Sequence, residues 1–238
     1  SDQYEIEDEI TRQITATLAD RIGVITRILV KKTQNKQCSD LTAFEAALKM
    51  YHWGIVLTDA AFQDAWKSLE YAVEKSPNDA LTKAMLSDIY ASDYLSEIGL
   101  VKNRMVKAEK LAREAVALDP DCPDARWVMG FVHFLRRRPE KFINEFEAAL
   151  ALNPHNAMIL AIYGLFLPGL GEWGKGVNLI EKARMLNPQL SSQYYIPTCL
   201  NYYRKGVFDR AYAESLHIST PGLFWEPLVN AAILGQLG

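Results

Sequence analysis

Two stretches of small and apolar residues close on the same phrase, Leu152-Asn153-Pro154 and Leu186-Asn187-Pro188, and a third closes on Leu118-Asp119-Pro120. Pro120, Pro154 and Pro188 therefore stand 34 residues apart twice in succession. A period of this length constrains the fold more than any composition does. It is the length of two antiparallel helices with their turns, a unit that buries its apolar side only by stacking on copies of itself. A fourth marker, Lys75-Ser76-Pro77, lies 43 residues before Pro120, so that unit holds nine extra residues. These predict lengthened helices in one hairpin, with Gly99 near the bend.

Hydrophobic spacing supplies the elements. From Glu5 to about Val30, Ile6, Ile10, Ile14, Leu18, Ile22 and Ile25 recur at three- or four-residue steps, with acids in the first turn and Lys31-Lys32 at the end. That pattern predicts one long amphipathic helix whose charges suit its dipole. A polar stretch, 33–37, interrupts it, after which Ser39 or Asp40 is placed to cap a helix through Phe44, Leu48 and Trp53. No segment alternates for long enough to predict a sheet.

Small residues recur where paired helices must approach: Gly130 and Gly164 in first helices, and Ala72, Ala115, Ala149 and Ala183 in second helices. Gly171-Glu172-Trp173 and Gly206-Val207-Phe208 supply a flexible turn followed by an aromatic residue. With the closing prolines, these residues resemble the tetratricopeptide repeat family. The match is strongest over 119–188 and extends from Leu41 to the end. The resemblance implies an all-α fold of antiparallel helical hairpins stacked as a right-handed superhelix, preceded by the long N-terminal helix. It implies an N-terminal helix and linker over 1–38, the tail of an upstream domain, and a repeat domain over 39–238. Its units fall at about 41–77, 78–120, 121–154, 155–188 and 189–221, with a partial unit at 222–238. Phe142 and Gly176 depart from the family's alanine, and Pro197 falls inside an expected helix, which it must kink or delay.

A narrower resemblance rests on Gly23-Val-Ile-Thr-Arg27, the irregular first hairpin and Phe224-Trp-Glu-Pro227. It is similar to the carboxy-terminal repeat regions of bacterial winged-helix transcription regulators and class III adenylate cyclases. Residues 1–27 would then end a segment that follows an output domain. The absence of an initial Met fits a mature form or an excised fragment.

A net charge of −3 with Lys and Arg dispersed does not point to nucleic acid. No apolar run has the length of a membrane span, and no basic-then-apolar signal opens the chain. Cys38, Cys122 and Cys199 are odd in number and far apart, so neither a zinc site nor a disulfide framework is expected. His52, His133, His155 and His217 lack partners at metal-ligand spacing. The glycines of 168–177 do not fit a phosphate loop, because Gly176 follows Lys175 where Ser or Thr is required. Arg136-Arg137-Arg138 reads as a solvated inter-helix turn, with anion binding the lesser reading. No G-x-S-x-G motif occurs. The expectation is a chain that is not an enzyme, with no catalytic residues, metal or cofactor.

Surface is what remains. In the family, first helices line a concave groove, and the matching positions here include Trp127, Phe131, Phe134, Met158 and Leu165. Family residues that clamp a terminal carboxylate are missing, which disfavours chaperone-tail binding. At the other end, Phe224, Trp225 and Leu228 belong to an apolar final helix A, and Gly235-Gln-Leu-Gly238 stops where its helix B should begin, so they form a candidate self-association surface, or else one that a continuing natural protein covers itself. The function this supports is a non-catalytic protein–protein interaction or oligomerisation module, the regulatory region of a bacterial signalling or transcription-regulatory protein. Its partner would be a protein or peptide, or a second copy in a homodimer, with no nucleic acid bound by this region. The alternative is a small-molecule sensor with an apolar groove. The expected compartment is the cytoplasm, or the periplasm where the region follows a membrane-anchored regulator.

Overall fold

Helix starts follow local chemistry. The computed structural model describes residues 24–99, 102–220 and 225–238, and among them are twelve α-helices and no strand. The chain divides into two compact units, of which one is Val24–Pro154 and the other holds His155–Gly238. The first contains α1 (Val24–Thr33), α2 (Ala43–Val56), α3 (Asp59–Lys75), α4 (Ala80–Leu95), α5 (Arg104–Leu118), α6 (Pro123–Leu135) and α7 (Pro139–Leu152). The second contains α8 (Ala157–Phe166), α9 (Trp173–Leu186), α10 (Ile196–Arg204), α11 (Phe208–Ser215) and α12 (Trp225–Leu237).

The cap of α2 is Thr42, and neither Ser39 nor Asp40. The Thr42 hydroxyl accepts the Glu45 amide at 3.2 Å, while the Glu45 carboxylate accepts the Thr42 amide at 3.0 Å. This reciprocal box satisfies two helix-end donors at once, and Cys38–Asp40 forms a separate 3-10 turn. Thr58, Asp79 and Asn156 cap α3, α4 and α8 without the reciprocal half, each side chain accepting one backbone amide. Pro123 and Pro139 open α6 and α7, where a missing N–H costs nothing. Pro197 is the second residue of α10, so that helix starts late, after a 3-10 turn at Ser192–Tyr195. Most of the expected helix over 5–30 lies outside the described residues; its described end, α1, continues to Thr33 and packs on α2.

Within the first unit, α2–α3, α4–α5 and α6–α7 are hairpins. The first helices α2, α4 and α6 lie side by side, and α3 and α5 also touch the first helix of the following hairpin. Within the second unit α8–α9 and α10–α11 repeat this arrangement, with α12 packed on both α10 and α11. The nine extra residues go mainly into a connection, correcting the expectation of lengthened helices. α4 has 16 residues against 13 in α6, and residues 96–103 then join it to α5. Glu97, Gly99 and Asn103 all have positive φ there, which stops helix growth.

Side-chain volume is balanced hairpin by hairpin. α5 presents Ala108, Ala112 and Ala115, all fully buried, so α4 comes close enough for the Ser87 hydroxyl to donate to the Ala108 carbonyl at 2.7 Å. α7 presents Phe142 and Phe146, and Gly130 opposite leaves room for the second ring. Cys199 on α10 donates to the Ala211 carbonyl on α11 at 3.1 Å. The missing side chain on Gly130 is thus what admits the Phe146 ring between the paired helices.

Candidate interaction surfaces

Turns between paired helices share one geometry. Gly171 (φ 85°) and Gly206 (φ 74°) close their first helices in the left-handed region, and the amides of Glu172 and Val207 reach back to the carbonyls of Leu167 and Tyr202. Arg137 takes the same place after α6 at φ 57°, with the Arg138 amide on the His133 carbonyl. These are Schellman closures, which favour Gly. The arginine run is therefore a turn, and two of its three cations are engaged. Glu109 on α5 lies 3.0 Å from Arg136 Nε and 2.8 Å from Arg138 Nη1, and it also takes Arg113 at 2.6 Å. Arg138, chiefly by hydrogen bonding, holds the Glu109 carboxyl below its ordinary range.

The aromatic positions of the first helices are mostly packing. Trp127 and Phe131 on α6 are each 3% exposed, and the Trp127 indole donates to Asp124 Oδ1 at 2.9 Å. Phe134 is half-buried, its ring centroid 5.4 Å from that of Phe142. In the second unit Met158 is buried and its sulfur accepts the Tyr194 hydroxyl at 3.2 Å, whereas Leu165 is half-buried. A side chain 3% exposed offers a partner almost no area, so Trp127 and Phe131 act on the fold first.

The final helix is different. Val229 and Ile233 on α12 are buried with Ile196, Cys199, Ala211 and Ile218. Trp225 (40%), Leu228 (53%), Leu234 (51%) and Leu237 (43%) are exposed. Ala231 and Gly235 are exposed among them, and Ala232 is half-buried. Glu226 is the helix's only charged residue, and its carboxylate accepts the Thr220 amide at 2.9 Å. Phe224 lies outside the described residues. Leu237 was missed because Gly235 reads as a stop, yet the helix runs through it.

Reactive chemistry is sparse. Cys38, Cys122 and Cys199 are free thiols, and burial pushes that of Cys199 up to about 11. Burial lowers the proton affinity of His133 and of His52. Among the described residues no three His, Cys, Asp or Glu side chains gather as a metal site, and no helix is long and apolar enough to cross a membrane.

Comparison with known proteins agrees with this architecture. No family model matches the chain. The transcriptional regulator HilA of Salmonella typhimurium is 26% identical over 179 residues, which cover 73% of this chain and 32% of that protein. HilA of Salmonella typhi matches equally. The chain thus spans about a third of the length of the curated relatives it matches. The crystal structure of TTC0263, a thermophilic TPR protein in Thermus thermophilus, superposes with a TM-score of 0.61 at 18% identity, covering 81% of this chain and 97% of that one. The fold is that of tetratricopeptide repeats.

Proposed function

We propose that this chain is a non-catalytic interaction module that associates with a second copy of itself through the outer side of α12. The observation that carries this reading is the exposure of Trp225, Leu228, Leu234 and Leu237 on one short helix. Full burial of a large apolar side chain is worth roughly 1.5–3 kcal/mol, so covering parts of four favours association. The occupant is a like helix because the surface carries no free charge to select an opposite one: its single acid is engaged by a backbone amide. Ala231, Ala232 and Gly235 let a second backbone approach closely. The similarity to HilA supports a setting in a bacterial transcription regulator, with this region as the cytoplasmic regulatory part that pairs two polypeptides and leaves nucleic acid to another segment.

Light scattering on the 238-residue chain at high micromolar concentration tests this. A dimer is expected, and a Trp225→Glu, Leu228→Glu variant with unchanged circular dichroism should be a monomer. A wild-type chain that stays monomeric would sink the reading.

A further inference from the structure

We propose that a trough on the Val24–Pro154 unit, formed by α3, α4 and α5, is a separate docking site for an amphipathic helix of a partner protein. The partner helix would bear basic side chains along one flank of its apolar stripe and acidic ones along the other. The trough holds about 430 Å³, room for several side chains. Each helix gives it one face at helical spacing: Glu70, Val73 and Glu74 from α3, Lys83, Leu86 and Tyr90 from α4, and 107, 110, 111 and 114 from α5.

The floor is apolar and fixed. Leu86 and Tyr90 are buried, and the Tyr90 hydroxyl donates to Glu70 at 2.8 Å. The walls carry opposite charge. Of the residues that α3 lends to the lining, both ionisable ones are acids, and neither Glu70 nor Glu74 forms an ion pair among the described residues. Facing them, Lys107 lies over the Tyr90 ring, 5.3 Å from its centroid, with no carboxylate partner among the described residues. Among the described residues Lys110 has only Glu114 at 3.8 Å, and Glu114 is already held by Lys83, closing the far end.

Opposite charges that line two walls without meeting leave their attraction to whatever lies between them. A wholly acidic or wholly basic ligand gains from one wall and is repelled by the other. The stripe from Lys107 to Glu114 spans about 10 Å at 1.5 Å per residue, two turns of an incoming helix. That helix would place apolar side chains on the half-buried Val73 and Leu111, above the covered Leu86, with its flanks acting as the charged positions beside a coiled-coil seam do.

The test uses the full chain with labelled Val and Leu methyl groups and three probe peptides of about two heptads. All have the same Leu seam; one carries Lys on one flank and Glu on the other, one Lys on both, one Glu on both. The mixed peptide should give saturable shifts at Val73, Leu86 and Leu111 and bind about tenfold more tightly than either control. A Lys107→Glu, Lys110→Glu variant, shown by thermal melting to stay folded, should bind the all-Lys peptide best. Equal binding of the three peptides, shifts centred elsewhere, or no saturable shift would each overturn the proposal. None of these outcomes depends on α12, whose association is read by light scattering.

Discussion

Gly164 on α8 and Gly176 on α9 meet backbone to backbone: a Cβ on Gly164 would lie 2.6 Å from the Gly176 carbonyl oxygen and 2.7 Å from Ile180 Cγ1. A backbone oxygen has nowhere to yield, so Gly164→Ala must part the hairpin. We expect it to lower unfolding free energy by about 1–3 kcal/mol, as overpacking does. Gly174, in the first turn of α9, has nothing within 4 Å of a Cβ. Gly174→Ala should therefore stabilise by about 0.4–1 kcal/mol through loss of unfolded-state freedom. Urea unfolding of the two variants checks both signs, and equal effects would show that the close approach is not what sets the cost.

Arg137 is the one member of three equivalent turns that is not glycine, and it sits at φ 57°. An L side chain in the left-handed region costs about 1–2 kcal/mol, which exceeds the extra freedom glycine has in the unfolded chain. Arg137→Gly should raise stability by a few tenths to about 1 kcal/mol. The ion pairs of Arg136 and Arg138 with Glu109 do not involve Arg137, so the change leaves them intact. A lower melting temperature in this variant would contradict the turn assignment.

Glu109 gathers Arg113, Arg136 and Arg138, tying α5 to the turn after α6. Its carboxyl is held below the ordinary 4.5, first by the hydrogen bond from Arg138. A carboxyl depressed in the folded state stabilises the fold above its unfolded pKa, and the gain is lost as pH falls through the folded value. Glu109→Gln should cost about 1 kcal/mol near pH 7, and the gap from the native chain should close as pH falls below about 4.5. Unfolding curves at neutral and acid pH measure that gap; one that stays constant would remove the charge-based account.

The hairpins were legible because prolines and glycines act locally: a proline is excluded from a helix interior and so marks a helix start or the residues just past an end, and Gly171 and Gly206 announce left-handed turns. Other features depended on choices between neighbours. Ser39, Asp40 and Thr42 all have capping side chains, and Glu45, three residues after Thr42, was the signal that decides among them. Only Gly99 advertised the long connection after α4, because Glu97 and Asn103 adopt positive φ without being glycine. Trp127 and Phe131 show where a helical position faces, but how deeply it is covered depends on residues distant in sequence. The charged trough is harder still, since Glu70, Tyr90 and Lys107 meet only after three helices have packed.

Lys49 and Asp64 join α2 to α3 at 2.8 Å, but the two ends of this pair are unlike: the lysine side chain is 2% exposed and the aspartate 45%. The ammonium also donates to the Gln34 carbonyl at 3.0 Å, fastening the segment after α1. Removing one partner of a pair is costly in proportion to how dry the remaining charge is left. Asp64→Ala leaves the buried ammonium with the Gln34 carbonyl and should cost about 1–3 kcal/mol. Lys49→Met removes the buried charge itself and leaves a carboxylate that water already reaches, so its cost should stay under about 1.5 kcal/mol. With Lys49→Met in place, adding Asp64→Ala should change little, because the charge it would strand is gone. A cycle of urea unfolding curves on the native chain, both single variants and the double variant measures this order. Equal single-variant costs that add in the double would mean that the ammonium finds water without Asp64, and that its burial is not what makes the pair matter.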